Sequence, residues 1–269
     1  MTSVIEDAPP PPPPDEPPAG PLSRIRFVLV ETSLGGNVGA VARAMKTMGL
    51  SRLELVRPRR EPDAEALARA AGADDLLAAA GRHATLADAL AGCRLVIGSS
   101  ARLRSVEWPQ LDPHQSARVL LDEARAGDVA LVFGRESSGL SNDELGACHY
   151  LAHIPSDPRF SSLNLAAAAQ VFAYEIRSTL LGQGGQVPAA GGAVRPDLAD
   201  ADEMEGFYDH LTRALTTLGF ADPAQSSRLQ RRLRRLFNRA RPDRTELNIL
   251  RGILSAAEGR KDPGRFRRR

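Results

Sequence analysis

Four short stretches gather the residue types that could do chemistry: Glu31–Gly39 (ETSLGGNVG), Gly98–Ala101 (GSSA), Phe133–Leu140 (FGRESSGL) and Pro155–Asn164 (PSDPRFSSLN). Each mixes glycine or serine with a carboxylate, carboxamide or guanidinium, or stands beside one that does. Small residues let main-chain N–H and C=O groups approach a ligand closely, and a glycine-rich loop that opens a helix can cradle a phosphate. A second chemistry is written further along. Arg228, Arg231, Arg232, Arg234, Arg235, Arg239, Arg241 and Arg244 crowd one helical stretch and the turn after it. Spacings of three and four set Arg228, Arg231, Arg232 and Arg235 along one side, with Leu229, Leu233 and Leu236 left as an apolar side to pack. Such a helix offers cations to phosphates.

These residues must be positioned by the elements around them. Arg24–Val30, Leu53–Val56, Leu95–Gly98, Val129–Phe133 and Tyr150–Ile154 are predicted strands. Between them, Asn37–Met48, Pro62–Ala71, Thr85–Ala91, Asp112–Arg125 and Ser141–Ala147 carry helical spacing or N-terminal capping patterns, and Leu163–Leu180 reads as a long apolar helix. Strands separated by helices imply a mostly parallel α/β sheet, in which ligands bind outside the carboxyl ends of the strands. The four loops follow predicted strands and would share that rim. Beyond a Gly/Ala/Pro-rich linker the pattern is all helical, over Asp200–Leu218, Pro223–Arg239 and Asp243–Glu258. The expected organisation is a proline-rich arm over 1–22, an α/β domain over 23–181, a flexible linker over 182–198, a helical extension over 199–260 and a basic tail over 261–269.

Composition narrows the function classes. The chain has 269 residues, 42% hydrophobic and 25% charged, as expected of a soluble protein. Aromatics are 4%, so broad base-stacking platforms are not expected. Two cysteines, Cys93 and Cys148, make neither a disulfide framework nor a cysteine-rich zinc site. His83, His114, His149, His153 and His210 lack metal-ligand spacing, so no metal is expected. No apolar run is long enough to span a bilayer, and the acidic proline-rich start lacks a signal-peptide h-region. A cytoplasmic location follows as the expectation. The net charge of +2 hides an asymmetry: from Arg228 onward 15 Lys+Arg face 4 Asp+Glu, a net +11, while the preceding residues hold 20 against 29, a net −9. A basic end on an acidic chain suggests a polyanionic partner. Dinucleotide binding is disfavoured, because the first loop lacks G-x-G-x-x-G spacing and the second strand ends in Val56-Arg57 rather than an acidic ribose ligand.

Three segments in order, FVLVETSLGGNVGAVARAMKTMGL, LVFGRESSGLSNDEL and IPSDPRFSSLNLAAAAQVFAYEIR, resemble the motifs of the SpoU branch of the SPOUT methyltransferases. The resemblance extends through the linker to EMEGFYDHLTRALTTLGF and RRLRRLFNRARPDRTELNILRGIL, covering about residues 24–257. It implies an α/β fold with a deep trefoil knot plus a small helical C-terminal domain. It further implies S-adenosylmethionine as methyl donor and a homodimer whose active site is completed across the interface. Members with this extension methylate the ribose 2′-oxygen of tRNA anticodon-loop nucleotide 32, a cytidine or uridine. By the same resemblance Arg43 is the catalytic arginine, Asn37, Glu136, Ser162 and Asn164 complete the catalytic set, and Ser99, Ser100, Ala101, Gly134, Ile154, Ser161, Ser162 and Leu163 hold the cofactor. tRNA is expected on Arg228, Arg231, Arg232, Arg235 and Arg239. Arg43 stays protonated, so a role as base is chemically awkward; a cation there can lower the pKa of the hydroxyl or bind a neighbouring phosphate. Asn37, Asn164 and Ser162 each also suit a helix cap, and Glu136 could either hold its loop or pair with a basic group across the dimer. The competing readings are a SpoU relative acting on ribosomal RNA, against which the extension speaks, and a non-catalytic RNA-binding module, against which the intact Arg43, Asn37, Glu136 and Asn164 speak.

Overall fold

A computed structural model describes residues 20–101, 108–183, 197–221 and 227–259. Residues 1–19, most of the linker and the basic tail lie outside the described residues, as does the start of the helix expected from Pro223. The described body begins three residues before the expected boundary. A 3-10 turn over Pro21–Arg24 buries Leu22, so the end of the expected arm is part of the core.

The sheet is built from β1 (Ile25–Val30), β2 (Arg52–Val56), β3 (Gly81–His83), β4 (Leu95–Ser99), β5 (Gln110–Leu111), β6 (Val129–Phe133) and β7 (Tyr150–Ala152). All pairings are parallel, in the order β3-β2-β1-β6-β4-β7-β5. The later strand β6 sits between β1 and β4, and β7 sits between β4 and β5. The helices of this half are α1 (Gly35–Thr47), α2 (Ala64–Ala70), α3 (Asp74–Ala78), α4 (Leu86–Leu90), α5 (Pro113–Ala124), α6 (Asn142–Gly146) and α7 (Leu165–Gln183).

The central strands are apolar on both faces because helices cover both, as parallel sheets require. Phe27, Leu29, Leu131 and Phe133 point to the face packed by α1, α5 and α7, where Phe133 lies 5.5 Å from Phe27 and 5.9 Å from Phe172 between ring centroids. Val28, Val30, Ala130 and Val132 point to the other, under α4 and α6. Asp128 clasps the strand starts, accepting from Arg26 at 2.6 Å and from Arg52. Three elements escaped the sequence reading. β3 (GRH) and β5 (QL) are too short to show alternation, and α3 (DDLLA) is little more than one turn.

The glycines of the first loop serve packing. α2 crosses α1 so closely that a Cβ on Gly39 would collide with the Ala66 carbonyl oxygen, and one on Gly35 would stand 2.9 Å from an Asp63 carboxylate oxygen. These glycines exist to admit a neighbouring helix, which is a different demand from cradling a phosphate.

The C-terminal helices are α8 (Ala201–Thr217), α9 (Ser227–Ala240) and α10 (Arg244–Ala257). Capping boxes from Asp200 with Glu203 and from Asp243 with Glu246 start α8 and α10. Met204, Phe207, Tyr208 and Leu247 form a small core of their own, against which Phe237 of α9 packs. This unit is anchored on the sheet half. Asn238 donates to the Gly146 carbonyl at 2.8 Å, the Ala201 amide to Cys93 at 3.0 Å, and Arg241 pairs with Glu123 at 3.2 Å.

Candidate active site

The carboxyl-terminal ends of β4, β6 and β7 converge on one cavity of about 340 Å³. Its wall includes residues 99–101, 133–139, 154 and 159–163. All eight residues that the family pattern assigns to the cofactor, Ser99, Ser100, Ala101, Gly134, Ile154, Ser161, Ser162 and Leu163, therefore face one space. Backbone pairing fixes the wall. The Ser100 amide donates to the Ala152 carbonyl at 2.9 Å, continuing the β4–β7 ladder past its end, and His153 bonds the Ser100 carbonyl through Nδ1 at 3.1 Å. After β6 the chain turns so tightly that Arg135 and Gly139 exchange backbone bonds of 3.2 and 2.8 Å. A Cβ on Gly134 would fall on Gly139, so only glycine fits there. A backbone-rich cavity of this size suits a small polar ligand, S-adenosylmethionine among them.

Beside the cavity stands a hydrogen-bonded hub built on Glu136. Its carboxylate accepts from the Ser33 amide at 3.2 Å, the Ser33 hydroxyl at 3.0 Å, the Leu34 amide at 3.4 Å and Asn37 Nδ2 at 3.1 Å. Asn164 Nδ2 then donates to Asn37 Oδ1 at 3.0 Å. Glu136, Asn37 and Asn164 come from three separate motifs and form one chain. Burial raises the Glu136 carboxyl, but the donors from its own backbone, Asn37 and Ser33 outweigh it and hold the group below its ordinary range. Glu136 thus holds the first loop. Asn164 is also the cap of α7, its Oδ1 accepting from the Ala166 amide at 2.8 Å. The expectation that Ser162 would cap a helix from Leu163 is corrected by this: α7 starts at Leu165, which leaves Ser162 exposed at the cavity.

Arg43 does not join them. It lies on α1 six residues past Asn37, which is 240° round a helix, and its side chain is exposed. It does not line the cavity, and its guanidinium makes no hydrogen bond or ion pair among the described residues. The single chain keeps the expected catalytic arginine apart from the expected catalytic hub.

Several supporting residues were not singled out from sequence. Ser33 supplies two donors to Glu136. Arg135, which faces the cavity, spans Glu31 at 2.8 Å and both oxygens of Glu144 at 2.9 and 3.0 Å. Both carboxyls titrate below their ordinary range. For Glu31 the Arg135 hydrogen bond is the main cause; for Glu144 burial raises the group, but Arg135 and the Ser141 amide overcome it. Alternating charges in the two loops were the only available signal, and which carboxylate meets which guanidinium is decided in three dimensions.

On α9 the outward arginines separate into two sets. Arg228, Arg232 and Arg239 are exposed, Arg235 is half-buried, and none has a partner among the described residues. Arg231 stands 4.0 Å from Asp143. Arg234 is committed inward, stacked 4.4 Å over the Tyr208 ring and bonded to both oxygens of Glu205. Leu236, expected on the packed side, is 46% exposed, because Phe237 and Asn238 make the contacts there.

Comparison with known proteins agrees with this geometry. The SpoU rRNA Methylase family model matches residues 24–174, and the model of the tRNA methyltransferase TrmJ C-terminal domain matches 202–266. A Cronobacter sakazakii protein named tRNA (cytidine/uridine-2′-O-)-methyltransferase TrmJ is 51% identical, covering 90% of this chain and 98% of its own length. A Pseudomonas aeruginosa relative, whose name adds adenosine to the two pyrimidines, is 50% identical over 88% and 95%. Among solved structures, TrmJ from Z. mobilis has a TM-score of 0.75 at 34% identity, covering 87% of this chain and 98% of that one. A probable methylase family protein from Haemophilus influenzae has a TM-score of 0.58 at 41% identity, over 89% and 97%. With one family model spanning the sheet half and the other the helical end, this chain belongs to the SpoU methylase family and carries a C-terminal domain of the TrmJ type.

Proposed function

We propose that the protein is an S-adenosylmethionine-dependent tRNA 2′-O-methyltransferase that acts on a cytidine or uridine ribose at anticodon-loop nucleotide 32. The observation that carries this reading is the single cavity onto which the family's second and third motifs converge, with the Glu136–Asn37–Asn164 chain tying the first motif beside it. The cofactor, when bound, supplies a methyl group made electrophilic by a positive sulfur. Residues 99–101, Gly134, Ile154 and 161–163 would hold it, largely through main-chain groups.

The chain's own residues then have three tasks. Glu136 and Asn37 fix the first loop, and Asn164 locks that loop to the start of α7, so the ribose meets a preorganised surface. Ser162 presents a hydroxyl at the cavity mouth for the ribose. Arg43 supplies the cation that lowers the pKa of the 2′-hydroxyl and neutralises a neighbouring phosphate. Since Arg43 lies away from its own chain's cavity, the guanidinium is delivered by a second copy, and the working unit is a homodimer. The interposed strands β6 and β7 support the family's trefoil threading of the chain. The arginines of α9 grip the tRNA body, and the protein works in the cytoplasm.

The test is transfer of labelled methyl groups to purified tRNA and to ribosomal RNA, followed by mapping of 2′-O-methylated nucleotides. Labelling of tRNA at nucleotide 32, lost in Arg43→Ala, is expected. Transfer only to ribosomal RNA, or full activity in Arg43→Ala, refutes the reading.

A further inference from the structure

The loop between β7 and α7 ends in an unusual display. Phe160 is 83% exposed, more than any other large apolar side chain among the described residues, and it lines the cavity mouth. The turn that carries it is well braced. The Phe160 amide donates to the Asp157 carbonyl at 2.9 Å, and the Arg159 amide and guanidinium bond the Asp157 carboxylate at 2.8 and 3.0 Å. The Ser156 hydroxyl closes the loop on the Ser161 carbonyl at 3.1 Å. The ring is therefore held out into solvent by a structured turn. Phe220, 70% exposed at the end of α8, lines neither this cavity nor the second one beneath α9.

We propose that Phe160 is the stacking platform for the base of the nucleotide being methylated. This rests on the functional reading above. A nucleotide whose 2′-oxygen reaches the methyl donor carries its base on the adjacent sugar carbon, so the base must lie at the mouth of the same cavity. Single-stranded loop bases are splayed out and stacked on aromatic rings in this way. Every base offers a π-face, so a phenylalanine without a hydrogen-bonding group accepts cytosine and uracil alike.

The experiment compares wild type with Phe160→Ala, Phe160→Leu and Phe160→Tyr. KM for tRNA, affinity for S-adenosylhomocysteine by calorimetry and mass by light scattering are measured on each. Since the ring is exposed, all variants should fold. The expected result is a KM for tRNA raised roughly ten- to a hundred-fold in the Ala and Leu variants, by the same factor for cytidine and uridine substrates, and restored by Tyr. Affinity for S-adenosylhomocysteine and oligomeric mass should be unchanged. A normal KM in Phe160→Ala overturns the proposal alone. An equal loss of S-adenosylhomocysteine affinity assigns the ring to the cofactor, and a change of mass assigns it to a subunit contact; either overturns it. Absence of tRNA methylation by wild type overturns the functional reading beneath it.

Discussion

Glu136 shows how one side chain sets the geometry of a site it need not react in. Four donors from the first loop point at its carboxylate, so replacing it by glutamine puts an N–H against N–H groups already aimed at it. We expect Glu136→Gln to lower the turnover number at least ten-fold and stability by about 1–3 kcal/mol, measured by methyl transfer and chemical denaturation. Two pH effects follow from residue environments. The depressed Glu136 carboxyl contributes stability above its unfolded pKa, and this is lost as pH falls through the lower, folded value. His149 is buried. Burial and the nearby Arg241 push its imidazole down to about 4, and its Nδ1 accepts from the Val96 amide at 3.0 Å. The unfolded chain then binds a proton that the folded chain refuses, so stability should fall between pH 6.5 and 4, by about 3 kcal/mol from this residue. A His149 imidazole that titrates near 6.5 by NMR would contradict this.

At the scale of elements, the sites depend on close approach. α1 carries Asn37 and Arg43, and its seat against α2 is set by Gly39. A methyl group at that position meets a backbone carbonyl, which has nowhere to go. Gly39→Ala should therefore cost about 3 kcal/mol and reduce methyl transfer with it, as denaturation curves and activity assays would show. α9 is held on α6 by Asn238, whose Nδ2 bonds Gly146 and whose Oδ1 accepts from the Tyr208 hydroxyl. Asn238→Leu takes this donor from the Gly146 carbonyl and leaves the Tyr208 hydroxyl only the Arg234 carbonyl at 3.2 Å. We expect faster proteolysis of the helical end and a raised KM for tRNA, with S-adenosylhomocysteine affinity intact. Equal loss of both affinities would show that the helix supports the cavity instead.

At the scale of the whole molecule, the separation of Arg43 from the cavity makes a sharp prediction. Arg43→Ala and Glu136→Ala proteins, each inactive alone, should regain activity when mixed and allowed to exchange subunits. A heterodimer has one site with both residues intact, so about a quarter of wild-type activity is the statistical expectation. No recovery, with exchange demonstrated, would place both residues in one subunit's site. Charge on the extension is also testable. Alanine at Arg228, Arg232 and Arg239 should weaken tRNA binding and flatten the plot of log affinity against log salt by about 0.7 to 0.9 for each phosphate no longer neutralised. An unchanged slope would free these arginines from the role assigned to them.

The sequence alone determined the order of the longer elements, because burial on two sheet faces and capping chemistry are local patterns. It placed β6 at Val129–Phe133, the box that opens α6, and the helices that begin after Asp200 and Asp243. Its motif resemblance led to the eight cavity residues, which share one space because each follows a parallel strand at the same end of the sheet. Tertiary structure alone decided what those loops do to one another. That Glu136 holds Ser33 and Asn37, that Arg135 joins Glu31 to Glu144, that Arg234 turns inward while Arg232 does not, and that Arg43 stands outside its own cavity are consequences of strand order and helix crossing. Pairings between residues about a hundred positions apart carry no periodic signature; they exist only once the sheet has brought the loops together.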